Sequence, residues 1–221
     1  MTNFGVFGTG VLGQTIGSAL VRLGHGVMLG ARDAANPKAQ AWAAAAGELA
    51  SYGTFRDAAG FGAIVINATL GDGSLAALAA AGPDQLAGKI IVDISNPLDF
   101  SNGFPPSLSV PSTDSLGERI QRAHPSARVV KTLNTMNAAV MVEPTRVPGE
   151  HHVFVSGDDA DAKATVVALL ASLGWPPARV IDLGGIASAR AVESHLMLWV
   201  YLYGALGTAD FNVQVLRAAG P

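Results

Sequence analysis

The chain has 221 residues, 14 Lys and Arg against 17 Asp and Glu, a formal net charge of −3 and no cysteine. With 49% hydrophobic and 14% charged residues, it is neither a disordered chain nor a charged coiled coil. The missing cysteines exclude disulfides, thiolate zinc sites, iron–sulfur clusters and cysteine nucleophiles, and the lack of any Lys/Arg cluster speaks against nucleic acid as a partner.

The length suits one domain, or one domain with a small appendage. The opening Met-Thr-Asn-Phe-Gly has no basic region of the signal-peptide kind. The longest apolar run, Leu196 to Leu206, is too short to span a bilayer. These features lead to the expectation of a cytoplasmic protein without a membrane partner. A mean hydropathy of +0.34 implies a large core or an apolar surface covered by a partner; a homo-oligomer, a homodimer, is the expected assembly.

In chain order, Asn3 to Phe7 reads as a strand and Val11 to Leu23 as a helix. Val27 to Gly30 is a strand, Lys38 to Leu49 a helix, Tyr52 to Phe55 a weak strand and Ala63 to Asn67 a core strand. A helix over Ser74 to Ala81 and a strand over Lys89 to Ile94 follow. Further strands cover Arg128 to Leu133, His152 to Ser156 and Arg179 to Leu183, and Ile186 to Leu216 reads as one or two helices. The central runs are continuously apolar, as strands covered by helices on both faces must be. Strands alternating with helices imply βαβ units. The expected fold is α/β, a Rossmann-type doubly wound and mostly parallel sheet over 1–184, with a C-terminal helical segment, 185–221, completing the substrate site or an oligomer interface. Between strand and helix, Ser95 to Thr113 forms a long Pro/Ser/Gly-rich loop, a length that marks a functional segment. It ends at Ser115-Leu116-Gly117-Glu118, a capping-box spacing.

Gly8-Thr9-Gly10-Val11-Leu12-Gly13 is a G-x-G-x-x-G set between a first strand and a helix, the context that makes the pattern specific. Gly8 permits the tight turn, Gly10 lets the backbone approach a pyrophosphate, and Gly13 lets helix and strand pack closely. The helix N-terminus offers N–H groups and a partial positive charge to phosphate. At the end of the second strand, where an NAD binder carries an acid for the ribose 2′-OH, the chain has Ala31 and then Arg32. A small residue followed by a guanidinium suits a 2′-phosphate, so NADP(H) is the expected cofactor. Thr9 and Lys38 are further phosphate contacts in this scheme, and Asp33 caps the next helix.

Three core strands end in asparagine: Asn67 before Ala68-Thr69, Asn96 before Pro97, and Asn134 before Thr135. In an open α/β sheet this edge holds the ligand, and an uncharged amide suits a nicotinamide, a ribose or a polar heterocycle. Ala68, Thr69 and Asn96 are assigned to the cofactor, and Asn67, Asn96 and Asn134 to the reaction. Of the histidines, His25 reads as structural, His124 as a helix C-terminal cap, and the adjacent His151 and His152 as too poorly spaced for a metal. Only His195 lies on a helix expected to face ligand. Met197 to Leu206 gathers aromatic residues, either a stacking wall or a buried or subunit-interface helix, the latter preferred. Arg190 and Glu193 read as a surface pair.

Together these residues resemble the NADPH-dependent reductases of coenzyme F420. The resemblance rests on Gly8 to Gly13, Leu29-Gly30-Ala31-Arg32, Asp93-Ile94-Ser95-Asn96-Pro97-Leu98 and Val130-Lys131-Thr132-Leu133-Asn134-Thr135. It continues through Ser156-Gly157-Asp158-Asp159, Ser188 to Ser194 and Gly204 to Thr208. It implies NADP over Gly8 to Gly13, its 2′-phosphate near Arg32, and hydride transfer to a deazaflavin, with coenzyme F420 as second substrate. Members that use the deazaflavin tend to have His-Thr-Ile-Pro where this chain has Asn134-Thr135-Met136-Asn137, which leaves free flavin, quinone or another small acceptor open. Hydride transfer between two bound rings needs proximity and orientation above all, in keeping with the absence of any Lys-centred or Ser/His/Asp constellation in the sequence pattern. The loop from Pro97 to Pro106 would cover the rings. A hydroxyacid dehydrogenase or imine reductase is a weaker alternative, because no lysine follows Lys163; a non-catalytic NADP(H)-binding redox sensor is the alternative of a different class.

Overall fold

Eight strands form one sheet in the computed structural model, which describes residues 1–218. The first half of the chain runs β1 (Asn3–Phe7), α1 (Val11–Arg22), β2 (Gly26–Ala31), α2 (Pro37–Ala46), β3 (Ala50–Thr54), α3 (Phe55–Phe61), β4 (Ile64–Asn67), α4 (Gly71–Ala81), α5 (Pro83–Leu86) and β5 (Ile90–Asp93). A small antiparallel ribbon follows, β6 (Leu98–Asp99) on β7 (Ser107–Leu108). The second half runs α6 (Leu116–Ala123), β8 (Arg128–Thr132), α7 (Ala138–Val142), β9 (Val153–Ser156), α8 (Ala160–Ser172), β10 (Val180–Asp182) and α9 (Ala189–Leu206).

The sheet order is β3-β2-β1-β4-β5-β8-β9-β10. All neighbours are parallel except β8 and β9. This is the expected α/β, doubly wound and mostly parallel architecture. Strand order reverses between β1 and β4, and the crevice at such a point opens at the carboxyl ends of the strands. Gly8, Ala31, Ala68 and Ile94 all follow or end strands at that edge.

Alternate residues of each strand feed opposite faces. Val6, Ile66, Val92 and Val130 pack with Ile16 and Leu20 of α1 and Val166 and Leu170 of α8. Phe7, Val65, Ile91 and Val129 pack with Leu78 of α4, Ile120 of α6, and Ile186 and Ala189 at the start of the C-terminal segment. The last helix is therefore anchored in one core layer rather than laid on the surface.

Several expectations are corrected. Helix α3 was absent from the pattern; it is short, and its start is set by a capping box between Thr54 and Asp57. The Ser95–Thr113 loop holds the β6–β7 ribbon. The stretch from Ile186 forms a 3-10 turn, Ile186–Ser188, and the single helix α9, which stops at Gly207 in the left-handed conformation, φ 66. Residues 208–218 form no helix but run back along the fold, where the Val213 carbonyl accepts from the His152 N–H at 2.9 Å. Positions 219–221 of the expected C-terminal segment lie outside the described residues. Among the described residues, no helix is long and apolar enough to cross a membrane.

Candidate active site

The turn after β1 has the geometry its glycines call for. Gly8 has φ +116, and a Cβ on it would lie 2.6 Å from the Ala68 carbonyl oxygen. A Cβ on Gly13 would lie 2.1 Å from the Gly8 carbonyl oxygen, whereas one on Gly10 would meet nothing within 4 Å. Gly13 thus permits close packing, and Gly10 leaves room for something to approach the backbone. Helix α1 starts at Gly10 with no side-chain cap and no acidic residue in its first turn. Its leading N–H groups and their partial positive charge face a groove suited to phosphate.

That groove encloses about 870 Å³ and is lined by Gly8, Thr9, Gly10, Ala31, Arg32, Asp33, Ala68 and Thr69, among others. Arg32 is exposed and makes no ion pair among the described residues. These features fit a pyrophosphate over Gly10 and a 2′-phosphate beside Arg32. Lys38 is exposed at the second position of α2, two residues after Asn36, which lines the groove. Asp33 closes a turn onto the Ala35 N–H at 2.8 Å, and Asn36 is the residue that caps α2, accepting from the Lys38 and Ala39 N–H groups.

A second cavity of about 400 Å³ adjoins the groove, sharing Gly10, Ala68, Thr69 and Leu70 with it. Val11 and Leu12, expected on the dinucleotide, line this second cavity instead. Leu98 of the ribbon, Met136, Met141 of α7, and Leu196 and Trp199 of α9 complete its walls. Trp199 stacks on Tyr203 at 5.6 Å and on Phe211 at 5.3 Å between ring centres. Trp199 lines the cavity, while Tyr201 and Leu206 on the same helix are exposed.

The three asparagines divide. Asn96 lines the cavity. Asn67 is fully buried: its amide donates to Ser74, Asp93 and Ser95 at 3.0, 2.9 and 3.2 Å, and its oxygen accepts from the Thr69 hydroxyl at 2.7 Å. Asn134 is buried and spends its amide on Asn96 Oδ1 at 2.9 Å and the Val192 carbonyl at 3.0 Å; Asn96 donates back to the Asn134 carbonyl at 2.9 Å. Neither Asn67 nor Asn134 lines a cavity. Asn67 holds the Thr69 hydroxyl, and Asn134 holds Asn96. Leu133, just before Asn134, has φ 62, a left-handed conformation unusual for a leucine and held here by the bonds around it.

Sequence reasoning missed a buried ion cluster beneath these residues. Lys131 is 0% exposed and donates to Asp93 at 2.8 Å, Glu193 at 2.9 Å and the Ser95 carbonyl at 2.6 Å. Burial alone would lower its pKa, but the two carboxylates outweigh it and hold the ammonium above its ordinary value. Asp93 also accepts from Asn67 and from the Ser95 hydroxyl at 2.6 Å. Glu193 also accepts from the Leu116 and Gly117 N–H groups at 2.8 and 3.0 Å, capping α6 from another helix. The expected Arg190–Glu193 pair is therefore wrong: Arg190 pairs with Glu118 at 2.6 Å. The signal that could have found the cluster is a lysine inside an otherwise apolar core strand, Val129-Val130-Lys131.

His25 accepts from the Thr2 N–H and packs on Phe4, and His124 is the C-cap of α6. His151 is tied through Nε2 to the Pro144 and Val147 carbonyls, and His152 accepts from the Val215 N–H. His195 lines neither cavity; its Nε2 is buried without a partner, and burial lowers its pKa.

A family model described as NADP oxidoreductase, coenzyme F420-dependent, matches residues 3–97. That span covers β1 through the turn after β5, including Gly8 to Gly13, Arg32, Asn67 and Asn96. A solved protein from Arthrobacter sp. FB24, a "putative f420 dependent nadp-reductase", is 52% identical, with 98% of this chain and 100% of that one covered and a TM-score of 0.91. The chain belongs to this family. Its members are NADP-linked oxidoreductases, which fits the groove over Gly10 and Arg32. Metalloreductase STEAP3 of Rattus norvegicus is 31% identical over 192 residues, 86% of this chain but 35% of that protein, so the chain spans about a third of that relative's length. A reductive aminase from Aspergillus terreus, solved with NADPH, is 22% identical, with 94% of this chain and 63% of that one covered and a TM-score of 0.65; it shares the fold.

Proposed function

We propose that the chain transfers hydride between NADP(H) and a second ring compound seated in the apolar cavity. The observation that carries this is the shared boundary: Gly10, Ala68, Thr69 and Leu70 line both spaces, so two rings could meet there face to face. When bound, NADPH supplies the hydride and the groove supplies its place. The first turn of α1 holds the pyrophosphate and Arg32 the 2′-phosphate. Thr69, held by Asn67, and Asn96, held by Asn134, orient the reacting ends, and the walls exclude water. The ribbon, through Leu98, covers the cavity, and the segment 185–221 completes it through Leu196 and Trp199. A second copy packed on the exposed Leu198, Tyr201 and Leu206 face of α9 would make a homodimer, and the cytoplasm is the compartment in which it works.

The family description and the Arthrobacter protein both point to coenzyme F420 as the acceptor. Free flavin or quinone is the second reading, favoured by a cavity lining without charge. The test is NADPH oxidation by the purified protein with the oxidised deazaflavin, with free flavin, with quinone and with no acceptor. Acceptor-dependent turnover is the expected result. Tight NADPH binding without turnover on any acceptor would overturn hydride transfer and leave a redox sensor.

A further inference from the structure

The hydrogen bonds behind the boundary between groove and cavity run in one direction. They start at Lys131, whose buried ammonium can only donate, here to Asp93 Oδ2 at 2.8 Å. Paired in this way, Asp93 is a carboxylate and can only accept. The Asn67 side chain meets Asp93 Oδ1 at 2.9 Å, so its NH2 group is the end that faces Asp93 and its carbonyl oxygen the end that faces Thr69. That oxygen has no proton to give. The 2.7 Å bond between Thr69 Oγ1 and Asn67 Oδ1 therefore uses the one proton of the threonine hydroxyl; otherwise two acceptors would face each other. Ser74 Oγ, 2.8 Å from Thr69 Oγ1, then donates to it, in preference to its longer 3.4 Å contact with Ser95. The Thr69 hydroxyl is left with a free lone pair and no free proton. It is only partly buried, and it lines both the dinucleotide groove and the adjoining cavity.

We propose that Thr69 Oγ1 accepts a hydrogen bond from the carboxamide N–H of the nicotinamide and so holds that ring against rotation at the boundary. The proposal rests on the hydride-transfer reading and adds a positioning atom to it. Arg32 lines the groove and not the cavity, whereas Thr69 lines both. A dinucleotide with its 2′-phosphate at Arg32 and its pyrophosphate over Gly10 therefore brings its nicotinamide end to Thr69. The carboxamide carries one donor group, NH2, and one acceptor, the carbonyl oxygen. Turned the other way, it would set its carbonyl oxygen against a hydroxyl that has no proton left, and both acceptors would go unpaired. One orientation is favoured, and a ring held in one orientation presents one face to the cavity. Lys131 acts here without touching the coenzyme: its charge fixes Asp93 as an acceptor, Asp93 fixes the Asn67 amide, and Asn67 takes the Thr69 proton.

The test is a two-by-two comparison. NADPH is set against its 3-acetylpyridine analogue, in which a methyl group replaces the carboxamide NH2 while the carbonyl stays. The unaltered chain is set against Thr69→Val, which keeps the shape of the side chain and removes the hydroxyl; circular dichroism checks its fold, and Thr69→Ala takes its place if it does not fold. Dissociation constants come from the fluorescence of the reduced coenzymes, and kcat/KM from turnover with the oxidised deazaflavin. Thr69→Val should lower the affinity and the kcat/KM for NADPH roughly 5- to 10-fold and change those for the analogue by less than about 2-fold. Thr69→Ser, which keeps the acceptor, should restore the values for NADPH. A purely structural loss, or a ribose hydroxyl bound at Thr69, lowers both coenzymes alike, so equal losses overturn the proposal, as does no loss for NADPH. If NADPH binds and no acceptor oxidises it, hydride transfer fails on its own. The dissociation constants then decide the bond to Thr69: a loss confined to NADPH upholds it, and equal losses overturn it.

Discussion

Replacing Lys131 by methionine is the sharpest test of how the site is held. The side chain is 0% exposed, and its ammonium lies 2.8 Å from Asp93 and 2.9 Å from Glu193, themselves 0% and 2% exposed. Lys131→Met keeps the stem and removes the charge, leaving two carboxylates in the core without a cation. Breaking a buried pair in this way costs about 3–5 kcal/mol. Part of the loss is contained, because Asp93 keeps its bonds from Asn67 and Ser95 and Glu193 keeps those from Leu116 and Gly117. Against a total stability of about 5–15 kcal/mol, the variant should remain folded, with a Tm lower by about 6–20 °C at about 2–4 °C per kcal/mol for a chain of this size. Urea unfolding at neutral pH, extrapolated to water, measures the difference. The second change in Lys131→Met/Glu193→Gln removes one orphaned charge and should recover about 1–2 kcal/mol. The pH dependence has a definite sign. Lys131 is held above its ordinary value, so its contribution is complete below the unfolded pKa of about 10.4 and is lost only as pH rises beyond it. A Lys131→Met loss under about 1 kcal/mol would refute the picture of a cluster that holds the sheet edge and α9 together.

Arg32→Ala should weaken NADPH binding about 10- to 100-fold and leave NADH binding unchanged, as titration calorimetry would show, since one charge-assisted pair is worth about 1.5–3 kcal/mol; equal losses for both would remove Arg32 from the 2′-phosphate. Gly10→Ala should fold normally and bind NADPH poorly, because its Cβ enters open space where a phosphate must approach. Gly13→Ala should lose NADPH binding and about 1–3 kcal/mol of stability as well, because its Cβ would sit 2.1 Å from the Gly8 oxygen. Asn134→Ala should lower kcat about 10-fold with little change in NADPH affinity, having freed Asn96; undiminished turnover would show that Asn134 positions nothing. Asp114 is raised by burial but pulled down further, to about 2, by Arg119, the Ser115 N–H and Arg122. Its stabilisation of the α6 start is complete above the ordinary value of about 3.9 and is lost as pH falls through about 2. Asp114→Asn should therefore flatten the acid limb of unfolding over that window, read by circular dichroism.

The sheet was legible because burial on both faces writes itself into the sequence as continuous apolar runs, such as Ile64-Val65-Ile66 and Ile90-Ile91-Val92. The groove was legible for a local reason: Gly8, Gly10 and Gly13 each meet a constraint set by residues close in sequence or by the next strand edge. Helix α3 was not, since seven residues give too little periodicity to read. Residues 208–218 form no helix because their apolar residues, Phe211, Val213 and Val215, lack helical spacing, and the segment is held by partners far away along the chain: His151 to Asn212, and His152 to Val213 and Val215. The cap at Asn36 starts α2 so that Lys38, at its second position, stands at the surface.

The asparagines show where residue type stops predicting role. All three end or closely follow strands at the ligand edge, yet they differ in how many donors each spends inside the protein. Asn134 gives its amide to Asn96 and to the Val192 carbonyl of α9. One side chain thus ties β8, the turn after β5 and the terminal helix at a single point. A neutral histidine has one N–H to donate and could not satisfy both acceptors at this position. The brace also explains why Leu133 can hold φ 62: the turn is pinned on both sides, by Lys131 to Asp93 and Glu193 below and by Asn134 to Asn96 and Val192 above. Because Glu193 and Val192 lie one position apart on α9, the same helix that supplies Leu196 and Trp199 to the cavity wall is fixed by the two polar clusters. The cavity is neutral because its charged neighbours are consumed in building it.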